Sequence, residues 1–188
     1  MNMLAYAINA AERFPLSDTI TLAGIDYLCA RTKRRLAGTS EQIELDFLKT
    51  MKDFPVATHT DDVNRQHYEL PPQFFELALG PQRKYSCCFY PDQNTTLEEA
   101  ETYALSETVR HAGISDGMDI LELGCGWGSL SLYLVEKFPD AQIVSVSNSA
   151  SQRAYIEAQA ATRGLKNLTV ITADMNDFSI DQRFDRVV

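Results

Sequence analysis

The 188-residue chain is 45% hydrophobic and 23% charged, which is enough apolar material for a packed core and too much for a disordered chain. Its 9 glycines and 7 prolines, with no run near the roughly 18 apolar residues that a membrane-spanning helix requires, exclude collagen-like, low-complexity and transmembrane organisation. Seventeen Lys/Arg against 26 Asp/Glu leave a net charge of -9, which argues against a nucleic-acid partner, because a polyanion is met by a basic face.

The charge is unevenly placed. Residues 1–60 carry seven basic and seven acidic side chains, whereas residues 61–188 carry ten and nineteen. Two parts are therefore expected, a helical arm over 1–60 and a ligand-binding domain over 61–188. The start, Met1-Asn2-Met3-Leu4-Ala5-Tyr6, lacks the basic segment and apolar core of a secretory signal, so a cytoplasmic location is the default expectation. Cys29, Cys87, Cys88 and Cys125 contain no C-x-x-C pair, and two of them are adjacent, a poor arrangement for disulfides or zinc. They read as reduced thiols, and no metal is expected.

Three helices are expected in the arm, from the stripes Leu4/Ala7/Ile8/Ala11, Ile20/Leu22/Ile25/Leu28/Cys29 and Ile43/Leu45/Phe47/Leu48/Met51. Ser17-Asp18 and Thr39-Ser40 are N-cap candidates for the second and third, with Gly38 and Pro55 as stops. The cluster Arg31-Thr32-Lys33-Arg34-Arg35 reads as a solvated helix end complementing the dipole, with peripheral docking on an anionic membrane as the alternative. Residues 55–66, which include His59 and the Asp61-Asp62 pair, read as a polar linker.

Pro71 to Gly80 reads as a short helix with proline in its first turn and glycine past its end. Thr96-Leu97-Glu98-Glu99 is a capping box opening a helix to about Ala112, with Ala100, Tyr103, Ala104 and Glu107 on its inner face. After Gly113 short apolar runs alternate with amphipathic helices: strands at 119–123, 142–146 and 168–172, helices at 129–138 and 150–163. That alternation predicts an α/β fold, a doubly wound parallel sheet with right-handed crossovers. Phe184-Asp185-Arg186-Val187-Val188 reads as the start of a fourth buried strand, so the expectation is the front piece of a longer protein, or one completed by a partner.

Chemistry concentrates in Glu122-Leu123-Gly124-Cys125-Gly126-Trp127-Gly128, at the end of the first strand and the opening of a crossover helix. Open α/β sheets bind ligands at that edge, and alternate glycines let a ligand approach the backbone without meeting a Cβ. The spacing is G-x-G-x-G after an acid, neither a dinucleotide G-x-G-x-x-G nor a P-loop, which favours a ligand without phosphate.

The turn resembles the glycine-rich loop of class I methyltransferases that use S-adenosyl-L-methionine. With His67-Tyr68-Glu69-Leu70-Pro71, Phe74-Phe75, Leu79-Gly80-Pro81, Lys84-Tyr85-Ser86-Cys87-Cys88, Thr95 to Glu101 and Ser147-Asn148-Ser149, residues from about 65 to 188 resemble the cyclopropane fatty acid synthase superfamily. The paired cysteines and the Ser-Asn-Ser segment are most similar to its coclaurine N-methyltransferase-like branch.

The resemblance implies a Rossmann-like fold, S-adenosyl-L-methionine as cofactor, and methyl transfer to a small amine or a lipid. It implies that Tyr85 and Ser86 close over the methionine part, that Glu122 helps to hold that end, and that Gly124 and Gly126 form the loop beneath it. Ser147, Asn148 and Gln152 would lie along the adenosine, with neutral groups where many class I enzymes place an acid on the ribose. Asp174 would accept from the adenine amino group, and Met175 would supply apolar contact. Cys87 would stand near the reacting centre; as a thiol alone it reads equally as a small hydrophobe. His67 is an active-site or helix-capping candidate, and Trp127 is expected to pack under the loop.

In this family the acid and histidine groups suited to the acceptor chemistry follow the fourth strand, so the 188-residue polypeptide alone is expected to be inactive or nearly so. A cyclopropane-forming synthase and a non-catalytic binding module, pairing through an exposed sheet edge or as a homo-oligomer, are the alternatives.

Overall fold

A computed structural model describes residues 16–59 and 70–188. The helical stripe Leu4–Ala11, Asp61, Asp62 and His67 lie outside the described residues. The chain divides into two compact units, Met1–Phe54 and Pro55–Val188.

In the first unit, α1 spans Asp18–Leu36 and α2 spans Glu41–Thr50, followed by a short 3-10 turn, Met51–Asp53. Ser17 and Ser40 stand at the two N-cap positions in extended backbone, but neither side chain makes a cap hydrogen bond. Lys33, Arg34 and Arg35 occupy the last turn of α1, where cations complement the helix dipole. No residue of either helix is buried.

The second unit begins its regular structure with α3, Pro72–Ala78, whose proline takes a first-turn position that needs no N–H partner. Helix α4, Leu97–Ala112, opens on a complete capping box: Glu99 N donates to Thr96 Oγ1 at 3.3 Å, and Thr96 N donates to Glu99 Oε2 at 2.8 Å. Those bonds hold the Glu99 carboxyl below its ordinary range. Gly113, at φ 59°, ends the helix in the left-handed region that favours glycine. The inner face differs from the expected one. Tyr103 is exposed, and Ala100, Glu101, Leu105 and Val109 are buried. The buried face keeps Ala100 but runs on through Glu101, Leu105 and Val109, because a carboxylate occupies an inward position that hydrophobicity alone does not give it.

Five elements of α/β alternation follow: β1 (Asp119–Leu123), α5 (Ser129–Lys137), β2 (Gln142–Ser147), α6 (Ala150–Arg163) and β3 (Leu168–Thr172). The fourth strand, β4, forms over Arg186–Val187. All pairings are parallel in the order β3-β2-β1-β4, with Leu121 opposite Val144 and Val187, and Val144 opposite Thr169. Alternation along the strands separates two apolar faces. On one, Ile120 and Ile143 meet Leu134 and Val135 of α5, while Val170 meets Leu132, Ile156 and Ala160 of α5 and α6. On the other, Leu121, Val144 and Val146 are packed by Ile171 and by Ala173, Met175, Phe178, Ile180 and Phe184, from the irregular run after β3.

The strand order decides where a ligand goes. The chain steps outward from β1 to β2 and β3, then returns on the other side of β1 as β4. Such a reversal opens a crevice at the carboxyl ends of the strands, between connections that leave in opposite directions.

Candidate functional site

A cleft of about 330 Å³ lies at that reversal, lined on one side by Glu122, Gly124, Gly126 and Ser129 and on the other by Arg83, Lys84, Tyr85 and Ser86. The turn after β1 is pinned from both neighbouring strands: Leu123 N donates to Val188 O at 2.8 Å, while Gly124 N and Cys125 N donate to Val146 O at 2.9 and 3.0 Å. Gly124 and Gly126 have φ of 84° and 53°, and a Cβ on either would meet no atom within 4 Å. Their surfaces therefore face open space, which suits the backbone for close approach by a ligand. Gly128 serves packing instead: at φ 78° it caps α5, and an added Cβ would run into Ile156 of α6.

Glu122, one residue from the end of β1, is buried. Ser131 of α5 donates to its Oε2, and the Ser145 hydroxyl of β2 lies 3.0 Å from the same oxygen and 2.9 Å from Ser131 Oγ. Burial pushes the Glu122 carboxyl above its ordinary range, against the opposing effect of those two hydroxyls. Beside it, burial and the Glu122 charge push the Cys125 thiol up to about 12, which leaves it un-ionised and poorly reactive.

The other wall is a strap, residues 80–88, without regular structure. Gln82 N and Lys84 N donate to the two oxygens of Glu101 on α4, at 2.9 and 3.1 Å. Arg83, between them at φ 50°, ion-pairs with Glu76 of α3 and stacks 4.3 Å above the Tyr155 ring of α6. Lys84 Nζ donates to Ser86 Oγ at 2.5 Å and to Cys87 O at 2.8 Å, fixing the bend in front of the cleft. Rings tie the two walls together: Phe75 lies 5.5 Å from Tyr85 and 4.7 Å from Trp127, and Trp127 lies 5.5 Å from Tyr155. Trp127 is thus buried beside the loop, in the place expected of it.

Of the residues singled out from the sequence, the structure brings Tyr85, Ser86, Glu122, Gly124 and Gly126 to this one cleft. Ser147, Asn148 and Gln152 gather at the end of β2 and the start of α6. There Ser147 Oγ donates to Gln152 Oε1 at 2.6 Å and accepts from Ser149 N at 3.1 Å. Gln152 Nε2 is left buried without a hydrogen-bond partner among the described residues. Asp174 follows β3, its Oδ1 accepting from the backbone and side-chain nitrogens of Asn176, both at 2.8 Å. Met175 packs on the sheet face of Leu121 and Val144. Cys87 is exposed and outside the lining of the cleft.

The sequence assigns no site role to Arg83, Glu101, Ser129, Ser131 or Ser145, although Glu101 ends one of the motifs that carry the family resemblance. Ser131 and Ser145 each stand between two aliphatic residues, Leu130 and Leu132 or Val144 and Val146, but other serines two residues away give them no local signal that sets them apart.

A protein-family model described as mycolic acid cyclopropane synthetase matches residues 56–188. Among curated proteins, an (S)-tetrahydroprotoberberine N-methyltransferase of Eschscholzia californica is 40% identical over 144 residues, 77% of this chain and 41% of that protein. Among solved structures, coclaurine N-methyltransferase bound to N-methylheliamine and SAH matches with a TM-score of 0.75 at 32% identity, covering 87% of this chain and 49% of that one. A mycolic acid cyclopropane synthase complexed with SAH and CTAB matches with a TM-score of 0.61 at 31% identity, covering 70% and 45%. The chain thus spans less than half the length of each of these relatives.

Proposed function

We propose that this chain, which belongs to the mycolic acid cyclopropane synthetase family, holds the S-adenosyl-L-methionine site of a methyltransferase whose acceptor is a small amine. The observation that carries the reading is the cleft at the strand reversal, with a buried carboxyl at Glu122 beside an open turn at Gly124 and Gly126.

The residues present fit that cofactor. Its methionine end carries an ammonium, which a carboxylate in a dry site attracts strongly. Ser129 Oγ in the cleft and Gln152 Nε2 at the start of α6 are buried polar atoms without partners among the described residues, as expected of groups that bond a ligand. We assign Glu122, Gly124, Gly126, Tyr85 and Ser86 to the methionine end, Ser147, Asn148 and Gln152 to the adenosine, and Asp174 and Met175 to the adenine. Cys87, beside Ser86 on the strap, is assigned to the neighbourhood of the reacting centre.

When bound, the cofactor supplies a methyl group already activated on a sulfonium, so the protein's task is alignment and exclusion of water. In this chain the strap carrying Tyr85 and Ser86 faces the glycine turn across the cleft, and Tyr85 and Trp127, joined through the buried ring of Phe75, are the aromatic part of a mixed polar and apolar lining. An amine must be neutral to attack, and removal from water favours the neutral form. The relatives named as N-methyltransferases support an amine over a lipid alkene.

Protein isolated from its natural source, incubated with methyl-tritiated S-adenosyl-L-methionine, tests the reading. Label is expected in an added small amine such as coclaurine, which the name of one solved relative supplies. Label only in ring-bearing lipids formed from unsaturated phospholipid would refute the amine and favour cyclopropane formation.

A further inference from the structure

We infer that Glu101 is a positioning residue for the cofactor: its buried carboxylate anchors the strap from behind and so sets Tyr85 and Ser86 over the methionine end. The inference rests on the proposed cofactor reading and goes beyond it, to a group that does not line the cleft.

Glu101 is fully buried on α4, although a charge in that position is costly unless hydrogen bonds satisfy it. Its partners are two backbone N–H groups of the strap, Gln82 N at 2.9 Å on Oε2 and Lys84 N at 3.1 Å on Oε1. The residue between them, Arg83, is held at φ 50°, a strained region for a side-chain-bearing residue. A strained turn closed around an anion is a nest of amides, and here the anion is supplied by the protein itself. Close approach reinforces it: a Cβ added at Gly80 would lie 2.9 Å or less from the carboxyl carbon and both oxygens of Glu101. Gly80 is therefore needed because the strap backbone lies directly on the carboxylate.

The anchoring has a consequence at the cleft. Lys84, whose N–H is fixed by Glu101, uses its ammonium to hold Ser86 Oγ and Cys87 O, and Tyr85 between them packs on Phe75. Loss of the carboxylate charge weakens the hold on two amides at once and frees residues 82–86 to move. A bound ligand would then have to order the strap on binding, and its affinity falls accordingly.

The test uses the 188-residue chain and its Glu101→Gln and Gly80→Ala variants, with Glu98→Gln, exposed on the same helix, as control. Each is titrated calorimetrically with S-adenosylhomocysteine and with 5′-methylthioadenosine, which lacks the amino-acid end. Both test variants are expected to bind S-adenosylhomocysteine about tenfold more weakly or worse, while methylthioadenosine affinity stays within about twofold. A purely structural role would lower both affinities together, and that result overturns the inference, as does unchanged affinity for both ligands. Should Glu101→Gln not fold, Gly80→Ala carries the same comparison, since it displaces the same contacts from the opposite side. Absence of S-adenosylhomocysteine binding by the unsubstituted chain would instead overturn the cofactor reading, and the inference with it.

Discussion

Replacing Glu122 by glutamine tests how the cleft manages a buried charge. The side chain keeps its shape, and the Ser131 and Ser145 hydroxyls can turn to accept from the new amide as well as donate to its oxygen. Only the ionisation is lost. Burial raises the Glu122 carboxyl above its ordinary 4.5, so between that value and the folded one the native state binds more protons than the unfolded state. The stabilising contribution is thus fully present below pH 4.5 and is lost as pH rises through the folded value, with a slope approaching about 1.4 kcal/mol per pH unit. Carboxyls such as exposed Glu99 and half-buried Glu107, which shift the opposite way, are the same in both proteins and cancel in the difference. Urea unfolding from pH 4 to 8, followed by the emission of the single tryptophan, Trp127, provides the measurement. The unsubstituted chain is expected to lose stability relative to Glu122→Gln as pH rises, until Glu122→Gln is the more stable protein at neutral pH. A difference that does not change with pH, or one that grows in favour of the unsubstituted chain, would refute the assignment of Glu122 as a buried acid whose burial outweighs its two hydroxyl partners.

Gly128→Ala is expected to cost about 2–5 kcal/mol in urea unfolding, from roughly 1–2 for the left-handed backbone and ~1–3 for the collision with Ile156. Equal stability would show that α5 and α6 can separate freely. Phe75→Ala removes the fully buried ring that joins Tyr85 to Trp127, at about 3–5 kcal/mol, and is expected also to shift the Trp127 emission; an unchanged spectrum would contradict the packing. Under native conditions Cys125, with its thiol near 12, is expected to resist iodoacetamide at pH 8 while exposed Cys87 is alkylated. Mass mapping that finds the two equally modified would contradict the burial of Cys125.

Much of the second unit is legible in the sequence because its signals are local. The capping box at Thr96–Glu99 fixes the start of α4, the alternation from Asp119 to Thr172 announces parallel strands and crossovers, and Gly124, Gly126 and Gly128 mark a turn that only glycine makes easily. What is not legible depends on partners distant in the chain. Nothing in the helical spacing around Glu101 signals an inward carboxylate, and only the amides of Gln82 and Lys84, 19 and 17 residues away, explain its burial. The strap itself has no periodicity to read. The run from Ala173 to Phe184 covers one face of the sheet without forming an element, so its apolar residues show no repeat. The return of β4 to the far side of β1, which opens the cleft, is a pairing across 66 residues between Asp119 and Asp185, which no short-range pattern encodes.

The central claim is that the cleft at the end of β1 receives S-adenosyl-L-methionine or its demethylated product. Titration of the nitrogen-15-labelled 188-residue chain with S-adenosylhomocysteine, read by amide and indole resonances, tests it most directly. Saturable shifts are expected at Gly124, Gly126, Tyr85, Ser86 and the Trp127 indole, all in or beside the cleft. Shifts confined to residues elsewhere, or none at millimolar ligand, would contradict the claim.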